Sequence, residues 1–358
     1  MKQPTEEFQM QAAVGASLNI TPQAASSAKG VALKRSLSIG LLVIATTLTH
    51  TAQAASSANA SAGRWDLTLI SPKGGVPSWI EVSEDQGQMK LVMVGIGEHA
   101  TPLKNLEIKG GAIQFVSPND EEGFAHEMLF KGKIVGQRLE GTITDSAEDA
   151  WNWKGVRTPK LDRPGPPNWG QPIKQFSGTG LSRWHMNDKS MAGTWKVENG
   201  MLISTGFGSE LISNTSFEDC KLHVEFKSGP TSNSGIYLRG RYEVQIETDS
   251  AAEPNSHHTG GVYGFIAPTP EQPRKPGVWQ TLDITLLGRK VTIVQNGITI
   301  IDIREIPGIS GDALDSHEGL PGPIYLQGSE QGTVSFKNIV ITPVRNSVSD
   351  CFLAFLGE

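Results

Sequence analysis

The chain has 358 residues, enough for two domains of about 100–200 residues each. Its formal charge of −6, with no basic tract, excludes a nucleic-acid binder of the usual electrostatic kind. Its 40 glycines show no collagen period and its two cysteines form no CxxC pair, so neither a fibrous chain nor a zinc-finger-type fold is indicated, and many short strands joined by tight turns are.

Residues 1–54 read as an export signal. Lys34 and Arg35 precede the apolar stretch from Ser36 to Leu48, which is too short to span a bilayer easily. Ala52-Gln53-Ala54 then supplies the small-residue cleavage pattern. The expected location is periplasmic or secreted, with no integral membrane span after cleavage. Residues 1–30 are polar and lie ahead of the charged flank, where a signal normally begins, so translation is expected to start near Val31. Cys220 falls at an inward strand position and is expected as a buried free thiol, whereas Cys351 lies in a tail.

From 62 to 161 the chain is a run of short alternating segments, among them WDLTLI (65–70), SWIEV (78–82), AIQFV (112–116) and RLEGTIT (138–144). Breaks such as Lys109-Gly110-Gly111 separate them, which predicts an antiparallel meander closing into a small β barrel or sandwich. Trp65, Trp79, Trp151 and Trp153 read as core or rim packing, and no acid–base constellation is visible. Residues 162–173 are proline-rich and predict a stiff, extended linker. Residues 174–345 again read almost wholly as strands, with primed-type hairpin turns at Asn199-Gly200 and Asn296-Gly297, and a loosely held tail at 346–358. The fold class is therefore all-β, with a two-sheet jelly roll as the second domain.

Period-two alternation assigns a polar face to each strand of that second domain. In RYEVQIET it gathers Glu243, Gln245 and Glu247, with Val244 and Ile246 pointing into the core. In CKLHVEF it leaves His223 and Glu225 opposite Leu222, Val224 and Phe226. SGIYLRG presents Tyr237 and Arg239, WQTLDITL presents Trp279 and Asp283, and GPIYLQ presents Tyr325 and Gln327. If these strands share one sheet, the aromatic rings could stack on a sugar while the carboxylates, Arg239 and the glutamines bind hydroxyls. The loop PNSHHTGGVYG adds His257 and His258, one of which could act as a general acid or base near neutrality. A divalent metal held by His223 or a loop histidine with Glu225, Glu243 or Glu247 is a further possibility at this stage.

The segments NSGIYLRGRYEVQIETDS, HHTGGVYGF, PGVWQTLDITLLGRKVTIVQNG, GPIYLQG and VSFKNIVITP occur in the order of the 3-keto-disaccharide hydrolase family, which residues 174–343 resemble. The resemblance implies a concanavalin-A-like lectin/glucanase jelly roll that cleaves glycosidic bonds of sugars already oxidised at C3. It points at His223, Glu225, Tyr237, Arg239, Glu243, Gln245, the His257-His258 loop, Trp279 and Gln327. Gln245 stands where laminarinase-type enzymes of this fold carry the central aspartate of E-x-D-x-E, which argues against their double displacement. In the family an aspartate and a histidine often follow the GPIYLQ strand; here the chain reads Gly328-Ser329-Glu330-Gln331-Gly332. A 3-keto group acidifies the C2 proton, so elimination of the C1 substituent and hydration give net hydrolysis. The expected groups are Glu243 or Glu225 as base, His223 or His257 as acid and Arg239 or a metal at the ketone oxygen. The competing expectations are a non-catalytic lectin-like envelope protein and a structural adhesion protein.

Overall fold

The computed structural model describes residues 61–345 except 72–73, 96–99, 118–126, 145–149, 164, 189–194, 207–208, 248–254 and 274. The export segment, Cys351 and the tail lie outside the described residues. The described residues fall within one compact unit. No helix among them is long and apolar enough to cross a membrane, and the sole helical element is a 3-10 turn, Asn255–His257.

The first sheet has nine antiparallel strands. They are β1 (Gly63–Ser71), β2 (Gly74–Asp85), β3 (Gln88–Val94), β4 (Ala100–Leu103), β5 (Glu107–Lys109), β6 (Ala112–Ser117), β7 (Met128–Val135), β8 (Arg138–Thr144) and β9 (Ala150–Arg157). Their order is β4-β3-β2-β1-β9-β8-β7-β6-β5, so the two outer strands are neighbours in the chain, separated by residues 104–106 alone. The sheet thus curls round to bring its two edges together as an open barrel, with no ladder pairing β4 to β5 among the described residues. Alternation fills its interior: Trp65, Leu67 and Leu69 of β1 are fully buried, with Phe115, Phe130 and Trp153 beside them. Each such side chain contributes about 1.5–3 kcal/mol by leaving water.

The remaining strands are β10 (Ile173–Phe176), β11 (Trp184–Met186), β12 (Trp195–Glu198), β13 (Met201–Thr205), β14 (Leu211–Phe217), β15 (Cys220–Ser228) and β16 (Asn233–Leu238). They continue as β17 (Tyr242–Glu247), β18 (Gln280–Leu287), β19 (Lys290–Gln295), β20 (Ile298–Glu305), β21 (Gly322–Leu326) and β22 (Thr333–Pro343). Two antiparallel sheets result, forming the jelly roll. The larger has eight strands, ordered β12-β13-β22-β15-β18-β19-β20, with β10 also on β22; the smaller is β11-β14-β21-β16-β17. Their apposed faces share one core, in which Leu222, Val224 and Phe226 of β15 meet Ile236, Val244, Ile246, Ile324 and Leu326. Asn199 and Asn296 both adopt φ near 51° ahead of Gly200 and Gly297, the geometry of primed hairpin turns. Cys220 is a buried free thiol, pushed up to about 12 chiefly by burial. The proline-rich segment lies along the sandwich: Arg163 pairs with Asp219, and Gly170 N–H donates to Pro343 O at 2.7 Å.

Strand β1 also carries a buried carboxyl. Asp66 is 3 % exposed despite its polar register, because residues 306–320 of the second half cover it. It accepts from Thr158 Oγ1 at 2.5 Å and faces Glu318, whose carboxylate is held by Tyr242 and Arg289. Burial first, and then the Glu318 charge, push Asp66 up from the usual carboxylate range to about 8. A folded-state value above the unfolded one means the folded protein holds the extra proton. That stabilisation is complete below about 3.8 and is lost as the pH rises through about 8. The unfolding free energy from urea titration is therefore expected to fall as the pH rises from 5 to about 8, by at most about 1.4 kcal/mol per pH unit, and this slope should flatten in Asp66→Asn. Equal slopes in the two proteins would show that Asp66 does not titrate in this window.

Candidate functional site

The two sheets turn their outer faces to opposite sides of the sandwich, and this divides the residues that sequence reasoning gathered onto one surface. His223 and Glu225 stand on β15 and Trp279 precedes β18, all on the outer side of the eight-stranded sheet. There His223 Nδ1 lies 2.7 Å from Asp283 Oδ1. Asn338 donates to Glu225 at 2.5 Å and, with Lys337, holds its carboxyl below the usual range. Lys337 and Lys227 lie over the Trp279 ring, at 4.2 and 5.2 Å. These three residues are therefore not part of a surface with Glu243. Period-two reading fixes the side of a strand but not the sheet to which the strand belongs.

Tyr237, Glu243, Gln245, Tyr325 and Gln327 do share the outer side of the five-stranded sheet. Tyr237 pairs directly with Tyr325 across β16 and β21, and their rings stack at 4.2 Å and 10°. Neither is a sugar platform: they are 1 % and 2 % exposed, since residues 306–320 cross above them. Tyr237 Oη donates to Gly311 O at 3.1 Å and to Glu243 Oε2 at 3.0 Å. Burial, reinforced by Glu210, Asp312, Glu243 and Glu330, raises the Tyr325 hydroxyl far above its ordinary value. Glu243 is 3 % exposed and its N–H donates to Ser310 Oγ at 3.1 Å. Its carboxylate occupies the space above Gly235, where any Cβ would overlap it. Arg239 leaves the face altogether. Its left-handed backbone, φ 53°, ends the alternation of β16, and its guanidinium binds Asp219 Oδ1 at 2.6 Å and Glu218 O at 2.8 Å.

Beyond the covered part, the same sheet opens into a polar cavity of about 270 Å³. It is lined by Thr231, Ser232, Asn233, Gln245, Glu247, His257, Tyr263 and Gln331. The loop after β17 forms one wall by pairing with that strand: Gln245 N–H donates to Gly261 O at 3.0 Å and Gly260 N–H to Gln245 O at 2.8 Å. Thr259 Oγ1 accepts from Glu247 N–H at 2.9 Å, fixing the strand end. His257 stacks on Tyr263 at 4.1 Å and 15° and is 4 % exposed. His258 turns the other way, with Nδ1 2.9 Å from Glu271, and does not line the cavity.

Gln245 and Asn233 of the lining are tied into a hydrogen-bonded chain that runs on behind it to Glu330 and Gln327. Gln245 Nε2 donates to Asn233 Oδ1 at 3.2 Å, Asn233 Nδ2 to Glu330 Oε2 at 3.0 Å, and Gln327 Nε2 to Glu330 Oε1 at 3.4 Å. Glu330 and Gln331 come from the segment where the sequence departs from the family pattern. Sequence reasoning placed Glu247 on the polar face of its strand without a catalytic part and did not bring Asn233, Tyr263, Glu330 or Gln331 to the site. The Asn233↔Glu247 register of β16 and β17 is what joins them, and no single segment displays it. His223 and Glu225 lie across the sandwich from Glu243 and Glu247 and so cannot share an ion with them, whereas the loop histidine His257 and Glu247 line one cavity. Among the described residues no three His, Cys, Asp or Glu side chains gather in a metal-binding arrangement. Chemically, the cavity offers a carboxylate, an imidazole, a phenol and oriented amides around a volume below the ~300 Å³ at which pockets for drug-sized ligands begin.

Residues 171–342 match the profile of the family described as a 3-keto-alpha-glucoside-1,2-lyase-like domain. Among solved structures, a candidate glycosyl hydrolase from Parabacteroides distasonis is 27 % identical, covering 52 % of this chain and 96 % of its own, with a TM-score of 0.42. A second such protein from that organism is 18 % identical over 49 % and 94 % of the two chains, with a TM-score of 0.39. A β-1,3-1,4-glucanase (lichenase) from a mouse hindgut metagenome is 12 % identical over 49 % and 100 %, with a TM-score of 0.32. No curated protein matches the chain.

Proposed function

We propose, from the match of residues 171–342 to the 3-keto-alpha-glucoside-1,2-lyase-like family, that this protein cleaves the glycosidic bond of 3-keto-glycosides in the polar cavity at the end of β17. The observation that carries the reading is the meeting of Glu247, His257, Tyr263 and Gln245 around a cavity suited to one sugar ring rather than an oligosaccharide. Glu247 removes the C2 proton that the neighbouring ketone acidifies, leaving an enolate. The C1–O bond then breaks, and His257 returns a proton to the departing oxygen. Gln245, tethered through Asn233 to Glu330, and the Tyr263 hydroxyl supply donors toward the enolate oxygen. Water adding across the resulting C1–C2 double bond gives 3-keto-glucose, so the sum is hydrolysis.

Glu243 takes a different part from the one its sequence suggests. Held by Tyr237 beneath Gly311, it is a positioning residue that fixes the strand from which Gln245 and Glu247 project. Arg239 has no part at the ketone, being committed to Asp219. The deciding assay incubates the full protein with a 3-keto-disaccharide and with its unoxidised parent, with and without chelator. Release of 3-keto-glucose from the oxidised sugar alone is expected, and metal dependence is read from the chelator arm. Saturable binding of the unoxidised sugar without any turnover would replace this reading with a lectin.

A further inference from the structure

The loop that covers the Tyr237–Tyr325 pair is held at both ends by the barrel, not by the jelly roll alone. Near its start, Gly308 lies against the Trp79 indole of β2 so closely that any Cβ would overlap the ring. Trp79, 1 % exposed, belongs to the core of the jelly roll rather than to that of the barrel in whose sequence it lies. Near the loop's end, Thr68 Oγ1 lies 2.9 Å from Ser316 Oγ, and Asp66 faces Glu318. Between these anchors the loop supplies Ser310 to Glu243 N–H and Gly311 to Tyr237 Oη. The jelly roll adds an inner clamp, with Arg241 bidentate on Asp315 at 2.8 and 3.0 Å. Trp79 also meets Phe265 edge-on at 5.9 Å, within the turn that presents Tyr263 to the cavity. Tyr263 N–H in turn donates to Glu243 O at 3.1 Å.

We propose that the barrel is a positioning element of the site, with Trp79 as a positioning residue that holds residues 306–320 and the 262–266 turn in register with β17. Its effect on turnover rests on the reading of the cavity given above; its effect on the two loops does not. The side chain acts through packing. A rigid indole between Gly308 and Phe265 leaves each loop one seat, and interiors packed at crystal-like density pass a displacement of that size to their neighbours.

Amide hydrogen exchange on the full protein tests the proposal without any substrate. In Gly308→Ala the hydrogen-bonded amides of Ser310, Leu314 and Tyr263 are expected to exchange about tenfold faster or more, while those of β19 keep the wild-type rate. Trp79→Phe, which retains a ring against Phe265, is expected to stay near wild type, and Trp79→Ala to behave as Gly308→Ala does. Alongside, kcat on a 3-keto-disaccharide should fall with exchange at Tyr263 across the series, and Trp79→Phe should restore it. Wild-type exchange at Ser310, Leu314 and Tyr263 in Gly308→Ala overturns the proposal, as does equal acceleration in β19. If the loop amides respond but the wild-type protein releases no 3-keto-glucose, the positioning role stands and the assigned reaction fails.

Discussion

Glu247→Gln is expected to lower kcat/KM on a 3-keto-disaccharide by about 10²–10⁴-fold, the range that a positioned proton-transfer group supplies. The amide keeps the shape of the side chain but cannot take the C2 proton. The backbone links of Glu247 to Thr259, at 2.9 Å through its N–H and 2.6 Å through its carbonyl, do not involve the carboxylate, so the end of β17 should hold. The thermal midpoint should accordingly stay close to wild type while turnover is lost. His257→Asn should produce a loss of the same order, and the double variant should fall little below either single one, because groups acting in one proton-transfer cycle are not additive. Unchanged kcat/KM in Glu247→Gln would remove that residue from the mechanism. A loss found instead in Glu243→Gln, with β17 intact, would return the role of base to Glu243.

Arg289→Met is expected to destabilise the protein by about 3–5 kcal/mol at pH 7, the cost of breaking a buried ion pair from one side. Arg289 donates to Glu318 from Nε at 3.2 Å and from Nη2 at 3.0 Å, and its Nη2 also reaches Pro159 O at 2.6 Å. It thereby ties the β18–β19 turn to the segment after the barrel and to the covering loop. Without it, Glu318, which is 1 % exposed, keeps the Tyr242 hydroxyl at 2.7 Å and its contact with Asp66 across the seam but loses its cation. Urea unfolding measures the loss. Glu318→Gln in the Arg289→Met background should recover part of it by removing the stranded charge. A change below about 1 kcal/mol would place the pair among ordinary surface bridges.

Trp79 and Asp66 illustrate where local patterns stop informing. Both sit in barrel strands whose alternation is easy to read, yet Trp79 packs into the jelly-roll core and Asp66 is buried in a polar register. Each departure arises at the seam, where a second body covers what the strand alone would leave to water. The tyrosines show the same limit from the other direction. Tyr237 and Tyr325 lie on the face that alternation assigns them, but the 306–320 loop, far from Tyr237 in the chain and just ahead of Tyr325, lies over them: Gly311 O, 74 residues on, takes the Tyr237 hydroxyl.

The all-β class, the turns at Asn199-Gly200 and Asn296-Gly297, the inward sets of nearly every strand and the buried thiol at Cys220 were legible in the chain alone. These depend on side-chain alternation and on backbone preferences within a few residues, which the chain carries locally. It took the folded molecule to show that the first sheet curls into an open barrel, that His223, Glu225 and Trp279 face away from Glu243, and that Glu247 shares a cavity with His257, Tyr263 and Asn233. Those outcomes depend on which strands pair and which loop crosses which face. That information resides in contacts between residues far apart in sequence, where alternation, having a period of two, is silent about the neighbour.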